Sequence, residues 1–364
     1  MNIAIVGSNS FIAKNFYFHL KNQKYVNKIY LIDRKTKKKD VKKFICFSDK
    51  IFIFAGINKP KSKIEYKKNF EIVKKIASFI EMKKKIFFMS SSQTGKYNKY
   101  AMSKKMCENF LFKLYKKKII DLKIYRLPNI FGKWSKPNYN SVVATFCFNI
   151  INGKPLNIIE NKKITLLYID DLIKIMLVDI KKKNDRLIIC EQFKYTFGIK
   201  IVKLREMITS IHNNYKSKYL LNYNSKIKKY LYSTYLSFLS KNDYKYKIKN
   251  IHINNSGSFL ELLKSKYAGQ ISLLNIRGKD KRGGHFHNTK YERFFVVDGK
   301  VRYSSIDMFK KKKFTTILKD SKLETITTIP GQIHFLQNLR TKPSKILIWS
   351  NEIFDKNNPD TFFY

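Results

Sequence analysis

The 364-residue chain has only four cysteines, Cys46, Cys107, Cys147 and Cys190, and no two of them form a C-x-x-C pair. A disulfide-framed scaffold and a zinc ribbon are therefore excluded, and reduced thiols in a cytoplasmic setting are expected. The opening Met1-Asn2-Ile3-Ala4-Ile5-Val6-Gly7 lacks the charged start and long apolar stretch of a secretion signal. No apolar run reaches the length of a membrane span. Acidic residues are also scarce, 26 against 75 basic ones, which leaves a formal charge of +49. A nucleic-acid partner is not expected from that charge, because only nine of the 75 basic residues are arginine and the lysines are spread along the whole chain. Nucleic-acid readers concentrate Arg and aromatic residues on one face, and no zinc-finger, helix-turn-helix or RNP-like signature is present. What the chain does have is 44% hydrophobic and 15% aromatic content, enough over this length to bury two cores.

Short apolar runs recur at residues 2–6, 28–33, 51–55, 86–89 and 122–127, separated by helical patterns. The clearest helix places Ile72, Val73, Ile76, Phe79 and Ile80 on one face. Strand alternating with helix predicts an α/β doubly wound parallel sheet, assigned to residues 1–243. The first run ends in Gly7-Ser8-Asn9-Ser10-Phe11-Ile12-Ala13, where a dinucleotide-binding loop would read G-x-x-G-x-x-G. The first glycine allows the tight turn, the second the approach of pyrophosphate, the third helix-on-strand packing. Here only the first remains. On the loop alone, a strand-turn-helix without a ligand is an equal reading. Asp33 follows some twenty residues on, with Arg34 beside it; the acid suits the ribose hydroxyls of NAD and the arginine the 2′-phosphate of NADP, so either cofactor is open.

Ser90-Ser91-Ser92 closes a strand, and Tyr100-Ala101-Met102-Ser103-Lys104 opens a helix. The spacing puts phenol and ammonium on one helix face, where the lysine charge is expected to favour the phenolate and Ser92 to hold a substrate oxygen. Tyr-x-x-x-Lys also arises by chance in a chain rich in both residues; its place after a serine-terminated strand favours the catalytic reading. Farther on stand Arg126-Leu127-Pro128-Asn129-Ile130-Phe131-Gly132 and Tyr168-Ile169-Asp170-Asp171. With these segments the first half resembles the extended short-chain dehydrogenase/reductase family acting on nucleotide sugars, a Rossmann fold. The resemblance implies cofactor contacts from Gly7, Ser10, Phe11, Ile12, Asp33, Arg34, Ala55, Gly56, Asn69 and Lys104. It also implies substrate contacts from Asn58, Arg126 and Asn129.

After residue 243 the pattern changes to short strands with Gly and Asn turns, at 271–276, 293–297, 301–306 and 346–349, which predicts an all-β jelly-roll barrel over residues 244–364. Half of the six histidines fall in two short windows there, His285-Phe286-His287 and the approach to His334. His285 and His287 share one face of a strand. With Glu292 and Gly299 they reproduce H-x-H-x-x-x-x-E-x-x-x-x-x-x-G, the first motif of the cupin family, and His334 follows Pro330-Gly331 as in the second. His285, His287, Glu292 and His334 are thus candidate metal ligands. Mixed imidazole and carboxylate donors suit Zn²⁺, with Fe²⁺, Mn²⁺ or Ni²⁺ as alternatives. One departure is that Pro330 directly precedes Gly331 instead of standing two residues earlier.

A short-chain reductase joined to a metal cupin resembles the bifunctional capsular-polysaccharide enzymes of the UDP-N-acetyl-L-fucosamine pathway. The likeness includes the short gap from Ser92 to Tyr100, the run from Pro128 to Ser141, Leu231 to Ser237, and the tail Asn351 to Asp355 with Pro359-Asp360-Thr361. It implies a UDP-sugar substrate, NADPH (NADH as the alternative), Zn²⁺ and a homodimer. Two activities follow from it: C3 epimerisation of a UDP-4-hexulose by the cupin and C4 ketone reduction by Ser92, Tyr100 and Lys104. The rival readings are another UDP-sugar epimerase or dehydratase, and a basic non-catalytic binding protein on a decayed reductase fold.

Overall fold

A computed structural model describes residues 1–58, 63–182, 187–222, 225–245, 247–248, 251–355 and 357–363. The chain forms two compact units, Met1–Thr209 with Lys226–Leu239, and Ser210–Ser225 with Ser240–Tyr364. Tyr246, which closes the lysine- and tyrosine-rich stretch ahead of the second strand pattern, lies outside the described residues. All four cysteines are free thiols. Among the described residues, no helix is long and apolar enough to cross a membrane.

The first unit begins β1 (Asn2–Val6), α1 (Phe11–Leu20), β2 (Lys28–Ile32), α2 (Lys38–Phe47), β3 (Lys50–Ile53), α3 (Lys67–Ala77), β4 (Lys84–Ser91), α4 (Lys99–Lys116) and β5 (Ile120–Leu127). It continues with β6 (Asn129–Phe131), α5 (Val142–Ile151), β7 (Lys163–Tyr168), α6 (Ile169–Lys181), β8 (Ile188–Cys190) and β9 (Thr196–Lys200). Helices α7 (Ile201–Ser217) and α8 (Lys226–Leu236) follow. The main sheet runs β2-β1-β3-β4-β5-β8, parallel throughout. Its strands read as continuous apolar runs because both faces are covered. One face carries a ladder of rings, with Phe52 on Phe87 at 4.2 Å and Phe16 on Phe52 at 4.4 Å. The other face packs Ile51, Ile53, Ile86, Phe88 and Ile124 against Val73 and Ile76 of α3 and Leu111 of α4. Sequence order reverses between β1 and β3, and a doubly wound sheet binds its ligand outside the carboxyl ends of the strands at that crevice. A small second sheet, β6-β7-β9, carries the chain from Asn129 into α6.

The second unit is all-β: β10 (Ile251–Asn254), β11 (Gly257–Ser265), β12 (Gly269–Ile276), β13 (Lys281–Phe286), β14 (Glu292–Asp298) and β15 (Lys300–Asp307). Then come β16 (Lys313–Lys319), β17 (Thr325–Thr327), β18 (Gln332–Asn338), β19 (Ser344–Ser350) and β20 (Phe362–Phe363). Two antiparallel sheets result, β10-β11-β12-β19-β14-β17 and β16-β15-β18-β13-β20. Between them lie Leu274, Ile276, Phe294, Val296, Val301, Tyr303, Leu336, Ile346 and Ile348. Alternate residues of each strand point inward, so polar side chains at inward positions near one end stand out as a site.

Candidate active sites

The chain leaves β1 through Gly7, whose φ of +82° only glycine adopts freely, and a Cβ there would come within 2.6 Å of the Ala55 amide nitrogen. Ser10 needs no glycine. Its backbone is extended (φ −71°, ψ 155°) and its hydroxyl caps α1, accepting from Ala13 N at 3.4 Å. Ala13 is fully buried, so the third position takes a small side chain. Phe11 and Ile12 open α1, whose amino end favours an anion. The Asp33 carboxylate accepts from Lys35 N at 2.8 Å, Asn9 Nδ2 at 2.7 Å and Thr36 Oγ1 at 3.2 Å. Those bonds, the Lys35 amide foremost, hold it below the usual carboxylate range. Arg34 beside it is exposed. Tight turn, helix amino terminus and ionised acid together fit a dinucleotide.

Beyond β3, a Cβ on Gly56 would touch Lys104 Nζ at 3.0 Å, so the loop runs directly over the lysine. Asn69 of α3 pins that loop: its Oδ1 accepts from Ile57 N at 2.6 Å, and its Nδ2 donates to Ile57 O at 3.2 Å and to Ser103 Oγ at 3.1 Å. Asn58, next in the loop, is half-buried. Helix α4 starts on an Asn98 cap whose Oδ1 accepts from Ala101 N at 2.9 Å, which sets Tyr100 and Lys104 one turn apart. Lys104 is buried, donates to Met89 O at 2.8 Å, and is pushed down to about 8 by burial. The Tyr100 phenol is pushed up to about 12 by burial, against the opposing hydrogen bond with the Ser91 side chain. Burial, not the Lys104 charge, governs the phenol in this arrangement.

Sequence reasoning missed Ser91. Of the three consecutive serines, Ser90 donates to the buried Glu108 carboxylate at 2.6 Å, Ser91 meets the phenol, and Ser92 is exposed, its amide donating to Leu127 O at 2.9 Å. Arg126 is engaged within the chain, donating to both Glu108 oxygens at 3.0 and 2.6 Å and to Glu191. Asn129 is exposed at the start of β6 and donates to Thr165 O at 3.1 Å.

In the second unit the donor atoms of His285, His287, Glu292 and His334 lie within 4.8 Å of one another. Gly283 and Gly284, at φ +102° and +83°, carry a bulge in β13 that sets His285 directly across from His334 of β18. Glu292 enters from the facing sheet at the start of β14. Its Oε2 lies 3.7 Å from His287 Nε2 and 3.6 Å from His334 Nε2, and its Oε1 3.1 Å from Lys290 Nζ. Burial alone would raise the Glu292 carboxyl, but these neighbours hold it well below its ordinary value. Burial, with His334 next, pushes His285 down to about 4, so its ring is neutral and free to donate a lone pair. His287 Nε2 and both ring nitrogens of His334 are buried without a hydrogen-bond partner among the described residues. Unpaired buried nitrogens are costly. A divalent cation at their centre would take up His287 Nε2 and one nitrogen of His334, so the four residues fit a metal. His285, Glu292 and His334 line a cavity of about 170 Å³ with Arg282, Lys290 and Thr361.

Residues 3–189 match the NAD dependent epimerase/dehydratase family, and residues 252–362 match the polysaccharide biosynthesis C-terminal domain. A relative from Pseudomonas aeruginosa, UDP-2-acetamido-2,6-beta-L-arabino-hexul-4-ose reductase, is 32% identical, with 100% of this chain and 98% of the relative covered. The crystal structure of the capsular polysaccharide assembling protein CapF from Staphylococcus aureus matches at a TM-score of 0.89 and 29% identity, over 100% of this chain and 99% of that one. UDP-glucuronic acid 4-epimerase from Bacillus cereus, in complex with NAD, shares the fold at a TM-score of 0.56 and 16% identity, over 67% of this chain and all (100%) of that one. This chain therefore belongs to the NAD dependent epimerase/dehydratase family, and within it to the group, shared with that reductase and with CapF, whose dinucleotide fold is followed by a polysaccharide biosynthesis C-terminal domain.

Proposed function

We propose that the chain is a bifunctional nucleotide-sugar enzyme of capsule or O-antigen synthesis. The cupin, residues 244–364, epimerises C3 of a UDP-2-acetamido-2,6-dideoxy-4-hexulose. The reductase, residues 1–243, then reduces the C4 ketone with NADPH to UDP-2-acetamido-2,6-dideoxy-L-talose. The observation that carries this reading is the end-to-end match to a relative named as a UDP-hexulose reductase, which takes in both units. The same reading makes the enzyme a cytoplasmic homodimer.

When bound, NADPH supplies the hydride. A phenol held near 12 stays protonated at neutral pH, so Tyr100 donates the proton to the C4 oxygen. Ser91 keeps the phenol aimed, Ser92 at the exposed strand end orients the ketone, and Lys104 binds the nicotinamide ribose. Gly7 to Ile12 cradle the pyrophosphate, and Asn58 and Asn129 contact the sugar nucleotide. In the cupin, His285, His287, Glu292 and His334 hold Zn²⁺ or another divalent cation. When bound, that cation supplies Lewis-acid polarisation of the C4 carbonyl, which acidifies the C3 proton.

The test is incubation with the UDP-4-hexulose and NADPH in deuterated water. NADPH is oxidised and deuterium appears at C3 of the product. Oxidation without the label removes the epimerase half; neither event removes the whole reading.

A further inference from the structure

Asp360 is not one of the four clustered residues, yet it ties down the segment that carries two of them. Its Oδ1 accepts from Asn288 N at 2.9 Å, and its Oδ2 from Thr289 N and Lys290 N, both at 2.7 Å, and from Thr289 Oγ1 at 3.0 Å. Three consecutive amides thus converge on one carboxylate, a nest closed by charge-assisted bonds. The backbone carbonyl of the same residue lies 2.5 Å from His287 Nδ1. A carbonyl only accepts, so Nδ1 carries the proton and the Nε2 lone pair is left facing Glu292. Two residues later β20 pairs with β13, Phe363 opposite His285 and Phe362 opposite Phe286. Without β20, β13 would be an edge strand.

The geometry points to the carboxy-terminal tail, residues 359–363, as a latch that presets the cation site, with Asp360 its positioning residue. The inference rests on the reading that the four-residue cluster takes a divalent cation. With the latch closed, His287 is fixed in tautomer and rotation and His285 is held in a paired strand. With it open, cation binding must order both rings, and affinity falls. Linkage makes the effect reciprocal, so the cation tightens the latch by the same factor.

The test uses the full chain stripped by a chelator and titrated with Zn²⁺ alone against a chromophoric competitor. Asp360→Ala binds Zn²⁺ about 10- to 100-fold more weakly than the natural chain, and Asp360→Asn, which keeps one acceptor oxygen, falls between. Equal binding by Asp360→Ala overturns the latch and leaves the cation site standing. No binding by the natural chain removes the cation site and the latch with it. A second measurement stands even if Asp360→Ala fails to fold. In the natural chain Zn²⁺ slows hydrogen exchange at the amides of residues 288–290 and 361–363, and in His334→Ala it does not. Exchange at 361–363 that ignores Zn²⁺ in the natural chain overturns the proposal.

Discussion

The two sites satisfy their buried polar atoms in opposite ways. Around Tyr100 the chain supplies its own partners: Lys104 to Met89 O, Asn69 to Ile57 and Ser103, Ser90 and Arg126 to Glu108. In the cupin, three imidazole nitrogens stand without one among the described residues. The first site is preorganised by protein alone. The second is incomplete as protein, because low dielectric makes an unpaired polar group expensive unless a ligand takes it up. Agents that act on one site should therefore leave the other intact, and the largest effects should come from removing whatever each site has only once.

On the proposed mechanism, Tyr100→Phe removes the proton donor. Ketone reduction is expected to fall about 10²- to 10⁴-fold in kcat, with NADPH affinity and Zn²⁺ stoichiometry unchanged; a loss in the cupin as well would end the idea of separable sites. Next is removal of the cation. If His285, His287, Glu292 and His334 bind it, stripping it from a chain saturated at a free cation concentration of 100 to 1,000 times Kd withdraws about 3–4 kcal/mol from the second unit. Calorimetry should show that transition fall while NADPH binding persists.

Lys104 gives a pH test that the cupin lacks. Its folded pKa, about 8, lies below the ordinary 10.5. Between those values the unfolded chain binds more protons, so stability rises as pH climbs from 8 to 10.5 and the burial penalty is fully present below 8. The span corresponds to about 3 kcal/mol. Lys104→Met, of similar length, should be more stable than the natural chain at pH 7 by up to that amount, less the lost bond to Met89 O. The difference should vanish near pH 10.5. A pH-independent difference in denaturation midpoint would mean that Lys104 is not held against its charge.

What could be read from the sequence follows from period and spacing. Continuous apolar runs announced β1 to β5, alternation announced the barrel strands, and His285, His287, Glu292 and His334 stood out because histidine is rare elsewhere. What could not be read depends on pairings across long separations. Whether Ser91 or Ser92 meets the phenol depends on where β4 ends, a matter of one residue. Arg126 lies in a segment that resembles a substrate pocket, but a buried Glu108 on α4 claims its guanidinium. The assignment of Ser210–Ser225 to the second unit has no local signature, since its pairing of Tyr219 with Lys264 joins residues remote in sequence. Asp360 stands in the Pro359-Asp360-Thr361 run that carries the likeness, but nothing local points to its partners, Asn288, Thr289 and Lys290, about seventy residues away.

The smallest expected effect concerns cofactor choice. Asp33 is ionised and oriented by Asn9, Lys35 N and Thr36, at the end of β2 where a ribose 2′-substituent comes to rest. A hydroxyl there can donate to the carboxylate; a phosphate meets a like charge, which the exposed Arg34 beside it offsets only across solvent. Asp33→Ala should therefore raise the kcat/KM ratio of NADPH to NADH about tenfold. Arg34→Ala should move the same ratio the other way. Ser10→Gly, by contrast, should leave the ratio alone, because the Ser10 hydroxyl caps α1 and takes no part in reading the ribose. If Asp33→Ala leaves the ratio unchanged, the ribose does not sit over β2, and the dinucleotide must enter the crevice between β1 and β3 in another orientation.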